Sequence, residues 1–281
     1  MKAKKKVIAF IVLVIVLLIA ISFAIVSNLG NKSKEVKVAK EFVASLQKKG
    51  IIDIKLNLGE IEFKSMSKLL NRSSKTQYTV IAENIGVDLD GKYGVTGFFQ
   101  KSKVDNIKDS IDENTAREIS EKYINEITNE KFTFKEIREV KESEGNSNIY
   151  TIAFYKYFKD YPYYDNEIVV NINKSSGKLE SYTNQSIDDI NHNLNKSIDL
   201  DRAKKNAVDY FTRLNQKPEI VDEPLLAFIL GIDGEFELSY VVNVKTTSAD
   251  NKEDKYKLFI NAESGEVINR TADLIESSTS N

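Results

Sequence analysis

Cysteine and tryptophan are absent from the 281 residues, and histidine occurs once, methionine twice and proline three times. Each shortage removes a class of chemistry. Without cysteine there are no disulfides, no thiolate ligands for zinc and no thiol nucleophile. A single histidine, His192, excludes the paired imidazoles one helical turn apart that a His-Glu-x-x-His zinc site needs. A serine triad would have to use the same His192, and no Gly-x-Ser-x-Gly elbow presents a nucleophile. His192 lies in the polar stretch 188–196 and reads as a solvated loop residue. No P-loop or dinucleotide fingerprint is present, and nothing among the 42 acidic residues singles out a catalytic pair. The expectation is a protein that is not an enzyme, with no catalytic residue, no cofactor and no metal.

Charge of one sign is also lacking. The 40 Lys+Arg stand against 42 Asp+Glu, a formal net charge of -2, which supplies no general attraction to nucleic acid. Heavy use of Asn, Lys and Ile points to an AT-rich bacterial genome.

One long apolar run is present, at the start. Lys2, Lys4, Lys5 and Lys6 precede residues 7–26, which are interrupted only by the uncharged Ser22. About twenty helical residues span roughly 30 Å, the thickness of a bilayer's hydrocarbon core. This predicts a cytoplasmic basic segment at 1–6 and a transmembrane signal anchor at 7–27, with the lysines holding the N-terminus inside. Everything from about residue 28 onward is then expected outside the cell membrane. A cleaved secretory signal is the alternative, with Ser22-Phe23-Ala24 as its small-x-small site. Both readings export the chain, and without the four lysines 36 of the 40 basic residues face 42 acidic ones.

Beyond the anchor, hydrophobic spacing marks three helices. Val36, Ala39, Val43 and Leu46 form one stripe, with Gly50 as its stop. Ala116, Ile119, Tyr123, Ile124 and Ile127 form a second, behind the capping-box spacing of Ser110 and Glu113. Leu200, Ala203, Ala207, Phe211 and Leu214 form the third, with Asp199 as N-cap. Between the first two, Ile52, Ile54, Leu56 and Leu58 alternate as a strand would, and 65–70 reads as a short helix. Residues 76–99 read as two strands around an Asp90-Gly91 hairpin turn, and 106–112 as a connector. Strands are expected at 132–141, 149–158 and 167–173, then at 225–230, 237–245 and 256–261.

The last two segments end alike. Ile172-Asn-Lys-Ser-Ser-Gly177-Lys-Leu179 aligns with Ile260-Asn-Ala-Glu-Ser-Gly265-Glu-Val267, sharing Ile, Asn, Ser and Gly in register. Each reads as a strand, a tight turn whose Gly takes φ > 0, and a returning strand. The expected fold class is α+β: an N-terminal transmembrane helix followed by tandem modules of a helix packed on a small antiparallel β-sheet. The expected segments are a membrane-proximal α+β region at 28–110, which 87–92 would close as a divergent third unit, then modules at 111–190 and 197–275 and a tail at 276–281.

These closing motifs resemble the propeptide of thermolysin-type metalloproteases, which is built from FTP and PepSY modules. Residues 150–182 are similar to the FTP strand pair, with Tyr161-Pro162 where that family has Gly-Pro. Residues 197–269 resemble PepSY, most specifically in Phe259-Ile-Asn-Ala-Glu-Ser-Gly-Glu-Val267. The resemblance covers roughly the C-terminal half, and no protease domain follows within the sequence. It implies a PepSY-like fold and a protein partner, such as a secreted or envelope metallopeptidase that the module inhibits or helps to fold. The alternative is a structural or regulatory scaffold of a cell-envelope complex with no protease. A carboxylate-based hydrolase is a third reading.

Seven aromatics crowd residues 154–164: Phe154, Tyr155, Tyr157, Phe158, Tyr161, Tyr163 and Tyr164. One reading puts Phe154 and Phe158 in the core, with the tyrosines covering neighbouring strands. The other makes Tyr155, Tyr157 and Tyr163 an exposed partner-binding patch, since tyrosine is enriched in contact surfaces. The acidic cluster 250–254 lacks EF-hand spacing and reads as a solvated hairpin tip rather than a Ca²⁺ site.

Overall fold

The fold is a computed structural model that describes residues 33–52, 57–67, 76–101, 110–138, 148–185, 187, 190–231, 234–249 and 251–273. The expected anchor at 7–27, the basic segment at 1–6 and the tail at 276–281 lie outside these residues. Among the described residues no helix is long and apolar enough to cross a membrane.

The three helices form where the apolar stripes place them. Helix α1 (Lys34–Lys48) buries Val36, Ala39, Val43 and Leu46. Helix α2 (Glu113–Ile127) buries Ala116, Ser120, Tyr123 and Ile124, and its N-cap is Asp112, whose carboxylate accepts the Thr115 N–H at 2.7 Å. That bond holds the Asp112 carboxyl below its usual pKa, and it replaces the expected cap at Ser110. Helix α3 (Leu200–Thr212) is capped by Asp199, which accepts the Arg202 N–H at 2.8 Å, and it buries Ala203, Ala207 and Phe211. Leu214 lies past its end and is 49% exposed.

The strands are β1 (Lys64–Ser67), β2 (Tyr78–Ala82), β3 (Ile85–Leu89), β4 (Val95–Gln100), β5 (Phe132–Arg138), β6 (Ile149–Phe158), β7 (Tyr161–Asn173) and β8 (Leu179–Asn184). They continue with β9 (His192–Asn193), β10 (Lys217–Ile220), β11 (Leu225–Leu230), β12 (Phe236–Thr247), β13 (Glu253–Asn261) and β14 (Val267–Asp273). Residues 65–67 are strand, not the expected helix, and residues 53–56 and 68–70 lie outside the description. Residues 78–100 hold three strands rather than two, because a further turn at Glu83, with φ 46, divides the first run.

The expectation of separate small antiparallel sheets is overturned. The 14 strands pair in one mixed order, β1-β2-β3-β4-β8-β7-β11-β12-β13-β14, with β5, β6, β9 and β10 attached beside it. The physical reason is the length of β7. Its later residues pair antiparallel with β8, from Ile168 opposite Asn184 to Ile172 opposite Leu179, while Tyr163 pairs parallel with Phe228 of β11. A 13-residue strand outruns any one small sheet. β9 also runs parallel to β12.

The chain divides into two compact units. The first holds residues up to 129, 134–154 and 168–186; the second holds 130–133, 155–167 and 187–281. In the first, Phe42 of α1 meets Phe98 of β4 edge-on at 6.0 Å, so the helix covers the face of the sheet that carries Phe98. In the second, α3 lays Ala203, Ala207 and Phe211 against a core that includes Phe228, Tyr240, Val242 and Leu258.

The paired turn motifs build the same network twice. Asn173 Oδ1 accepts the N–H groups of Ser175 and Ser176 at 2.9 and 3.1 Å, and Asn261 Oδ1 accepts those of Glu263 and Ser264 at 2.9 Å each. Gly177 and Gly265 sit at φ 66 and 77, and each donates its N–H to the carbonyl of the turn asparagine at 2.9 Å. The helix of each segment then binds the glycine carbonyl: Tyr123 Oη donates to Gly177 O at 3.0 Å, and Asn206 Nδ2 to Gly265 O at 2.7 Å. A divergent version closes β3 and β4, where Asp90 Oδ1 accepts the N–H groups of Lys92 and Gly94. There the positive φ falls on Tyr93, at 68°, rather than on Gly91.

Alanine at either turn glycine forces an L-residue into the left-handed region, at about 1–2 kcal/mol. Gly265→Ala is expected to cost more than Gly177→Ala. Its Cβ would meet Asn206 Nδ2 at 2.9 Å and disturb the bond that ties helix to turn, whereas at Gly177 it meets the Ile119 Cδ1 methyl at 3.1 Å. Urea unfolding of the two variants tests the order, and equal costs would contradict it.

Candidate functional site

The aromatic segment and the only histidine of the chain meet in the second unit. Strand alternation sends Phe154, Lys156 and Phe158 of β6 to one side and Tyr155 and Tyr157 to the other. Phe154 is fully buried in the first unit, edge-on to Phe134 at 6.1 Å. Tyr155 and Tyr157 are partly buried. The Tyr157 hydroxyl lies 3.1 Å from Thr133 Oγ1, and the Lys131 ammonium stands over its ring at 4.8 Å. Tyr164 packs edge-on against Phe259 at 5.2 Å.

Tyr163 does not share a surface with Tyr155 and Tyr157. It is 1% exposed, inside the core of the second unit, with its ring 5.5 Å from Phe228 and 4.8 Å from Phe236. The three-tyrosine patch is therefore not built. The cause is the β6–β7 hairpin, which turns Tyr163 toward β11 and β12, where an apolar pocket accepts it.

His192 is not a solvated loop residue either. It forms the two-residue strand β9, parallel to Phe236 and Glu237 of β12. Its ring stacks on Phe158 at 4.1 Å and 20° and on Phe236 at 5.2 Å and 22°, and meets Phe228 edge-on at 5.1 Å. Its Nε2 lies 2.6 Å from the Tyr163 hydroxyl. Burial lowers its pKa below the ordinary 6.5, and the positive Lys159 adds to the shift, while a hydrogen bond to the Ile190 carbonyl opposes it. The signal for this placement was present in sequence: Ile187, Ile190 and Leu194 punctuate the polar stretch, and all three pack on the same core.

At the hairpin between β12 and β13, Lys245 binds Glu253 at 2.8 Å and Lys252 binds Asp254 at 3.4 Å, so lysines engage these carboxylates. The Glu253 contact raises the Lys245 pKa. Asp250 lies outside the described residues, and among those described no three His, Asp or Glu side chains converge as metal ligands.

The other feature of the second unit is an open edge. β14 ends the strand order and, among the described residues, pairs with β13 alone. Its register is regular from Asp273 opposite Lys255 to Asn269 opposite Phe259, and a bulge follows. Ile268 is 40% exposed, and Asn269, Arg270 and Thr271 are exposed. The Arg270 guanidinium covers the Tyr256 ring at 5.2 Å.

A single helix laid on antiparallel strands, closed by the Asn-x-x-Ser-Gly turn and bordered by this edge, makes up residues 199–273 of the second unit. Residues 197–271 match the family profile described as the peptidase propeptide and YPEB domain, PepSY, so the PepSY character read from the closing motif stands. Residues 76–214, which include the whole FTP-like stretch 150–182, match the profile of the YcdB, YcdC repeated domain. Among solved structures, the Bacillus megaterium YpeB C-terminal domain is similar with a TM-score of 0.53 at 17% identity, over 85% of this chain and 97% of that one. At that identity the likeness is one of fold. The search of curated proteins returned no match.

Proposed function

We propose that the chain is a non-catalytic PepSY-type binding module, held at the outer face of the cell membrane by its N-terminal apolar run, that regulates a secreted or envelope peptidase. The observation that carries this reading is the open edge of β14. Its outward N–H and C=O groups can pair with an extended segment of a partner, the mode in which main-chain bonds give affinity and side chains give selectivity. The PepSY match at 197–271 supports a protein as that partner. The sequence supports export through the run at 7–26.

The test uses the full chain in mild detergent as bait for the secreted and envelope proteins of its source, followed by peptidase assays on what is retained. A metallopeptidase should be captured and its hydrolysis slowed. Ile268→Lys, which places a charge on the edge strand, should weaken that binding at least tenfold, about 1.4 kcal/mol. Failure to bind or slow any peptidase would remove the regulatory reading. Binding that is indifferent to Ile268→Lys would move the contact away from β14.

A further inference from the structure

We infer that His192 is a proton-operated latch: its neutral imidazole pins residues 190–195 onto β12, and protonation releases that segment. Two residues of parallel pairing make a weak strand, so the side chain that β9 inserts adds to the hold that Ile190 and Leu194 supply by packing on the core. The imidazole stacks between Phe158 and Phe236, with Phe228 and Tyr163 closing the sides. One ring nitrogen serves the Ile190 carbonyl, which needs an N–H. Nε2 is then the lone-pair nitrogen, and it accepts from the Tyr163 hydroxyl at 2.6 Å. Protonation turns Nε2 into a second donor, aimed at a hydroxyl that was itself donating, and places a charge among rings that partly screen it from water.

Among the ionisable groups near the ring, Lys159 reinforces the preference for the neutral form. From the end of β6 comes Lys159, whose ammonium lies 5.5 Å from the centroid of the same Phe158 ring that stacks on His192. Lys156 of β6 is paired with Glu130 at 3.3 Å. From β7 comes the Tyr163 hydroxyl, and β11 (Leu225–Leu230) carries no ionisable residue. At the start of β12, Glu235 accepts the Asn191 amide at 2.9 Å and Glu237 accepts the Asn261 amide. Both carboxylates are therefore engaged by amides next to the latch.

The sign follows from linkage. The latched state holds His192 below its ordinary pKa of 6.5, so the open state binds the proton more readily. The latch is fully closed above about pH 6.5 and weakens as the pH falls from there through the lowered value. The released segment also reaches the turn that leads into β14. Asn193 and Asn195 donate to the Glu263 carboxylate at 3.1 and 3.0 Å, and the N–H groups of Ser197 and Ile198 bind the Ala262 carbonyl at 2.9 and 3.0 Å. Any effect on a partner rests on the β14 reading above; the latch itself does not.

Hydrogen exchange of the full chain, corrected for intrinsic rates, is measured on peptides covering 190–196 and 200–212 at pH 7.5 and 5.0. Protection of 190–196 is expected to fall at least tenfold at the lower pH, while α3 stays protected at both. His192→Phe fills the cage without titrating and should show no such fall. Tyr163→Phe removes the hydroxyl that favours the neutral ring and should move the midpoint of release to higher pH. Constant protection of 190–196 in the wild type would overturn the latch. The same loss in His192→Phe, or an unmoved midpoint in Tyr163→Phe, would overturn it equally.

Discussion

Replacing Phe228 with alanine is expected to destabilise the second unit by about 3–5 kcal/mol, the range for removing a fully buried aromatic ring. Phe228 is fully buried and stands where β7, β9, β11 and β12 meet. Its ring contacts Phe158 at 5.9 Å, Tyr161 at 6.0 Å, Tyr163 at 5.5 Å, His192 at 5.1 Å and Phe236 at 6.4 Å. Five rings held by four different strands cannot all slide inward to fill the gap. The transfer loss is therefore accompanied by a cavity cost. Urea unfolding, with exchange protection of 236–244 as the local readout, checks the prediction. A loss near 1 kcal/mol would mean that the cluster collapses and that Phe228 is not its centre.

The same cluster shows what a sequence conveys and what it withholds. Helical stripes are local, and Val36, Ala39, Val43 and Leu46 were all expected inward and are all buried. The Asn-x-x-Ser-Gly turns were also legible, because glycine takes the positive φ at least cost and the repeat places one at the same position twice. Which strands become neighbours was not. Alternation along β7 shows which side chains share a face but carries no information that Tyr163 will lie beside Phe228, 65 residues away in the chain. That non-local pairing joins what read as separate small sheets into one order, and it draws Tyr163 from an expected surface into a core. His192 was misplaced for the same reason. Polar neighbours on both sides suggested solvent, while its four aromatic contacts come from β6, β7, β11 and β12.

Lys156, a buried cation between Phe154 and Phe158, supports a second prediction. It occupies a core-facing position of β6 with its side chain 3% exposed, and its ammonium lies 3.3 Å from Glu130, whose side chain is 46% exposed. Breaking a fully buried pair costs about 3–5 kcal/mol, because the charge left behind stays desolvated. Here water reaches the carboxylate side, which screens the interaction, so Glu130→Ala is expected to cost about 2 kcal/mol. Lys156→Met should differ from wild type by less than about 1 kcal/mol. The methionine keeps most of the buried stem, and the Glu130 carboxylate is already 46% exposed to water. The asymmetry between the two variants, read from urea midpoints at constant slope, distinguishes a tolerated buried charge from a stabilising one. Equal losses would mean that the ion pair itself holds β6 in place. A loss confined to Glu130→Ala would mean that the carboxylate is there to make a buried lysine bearable.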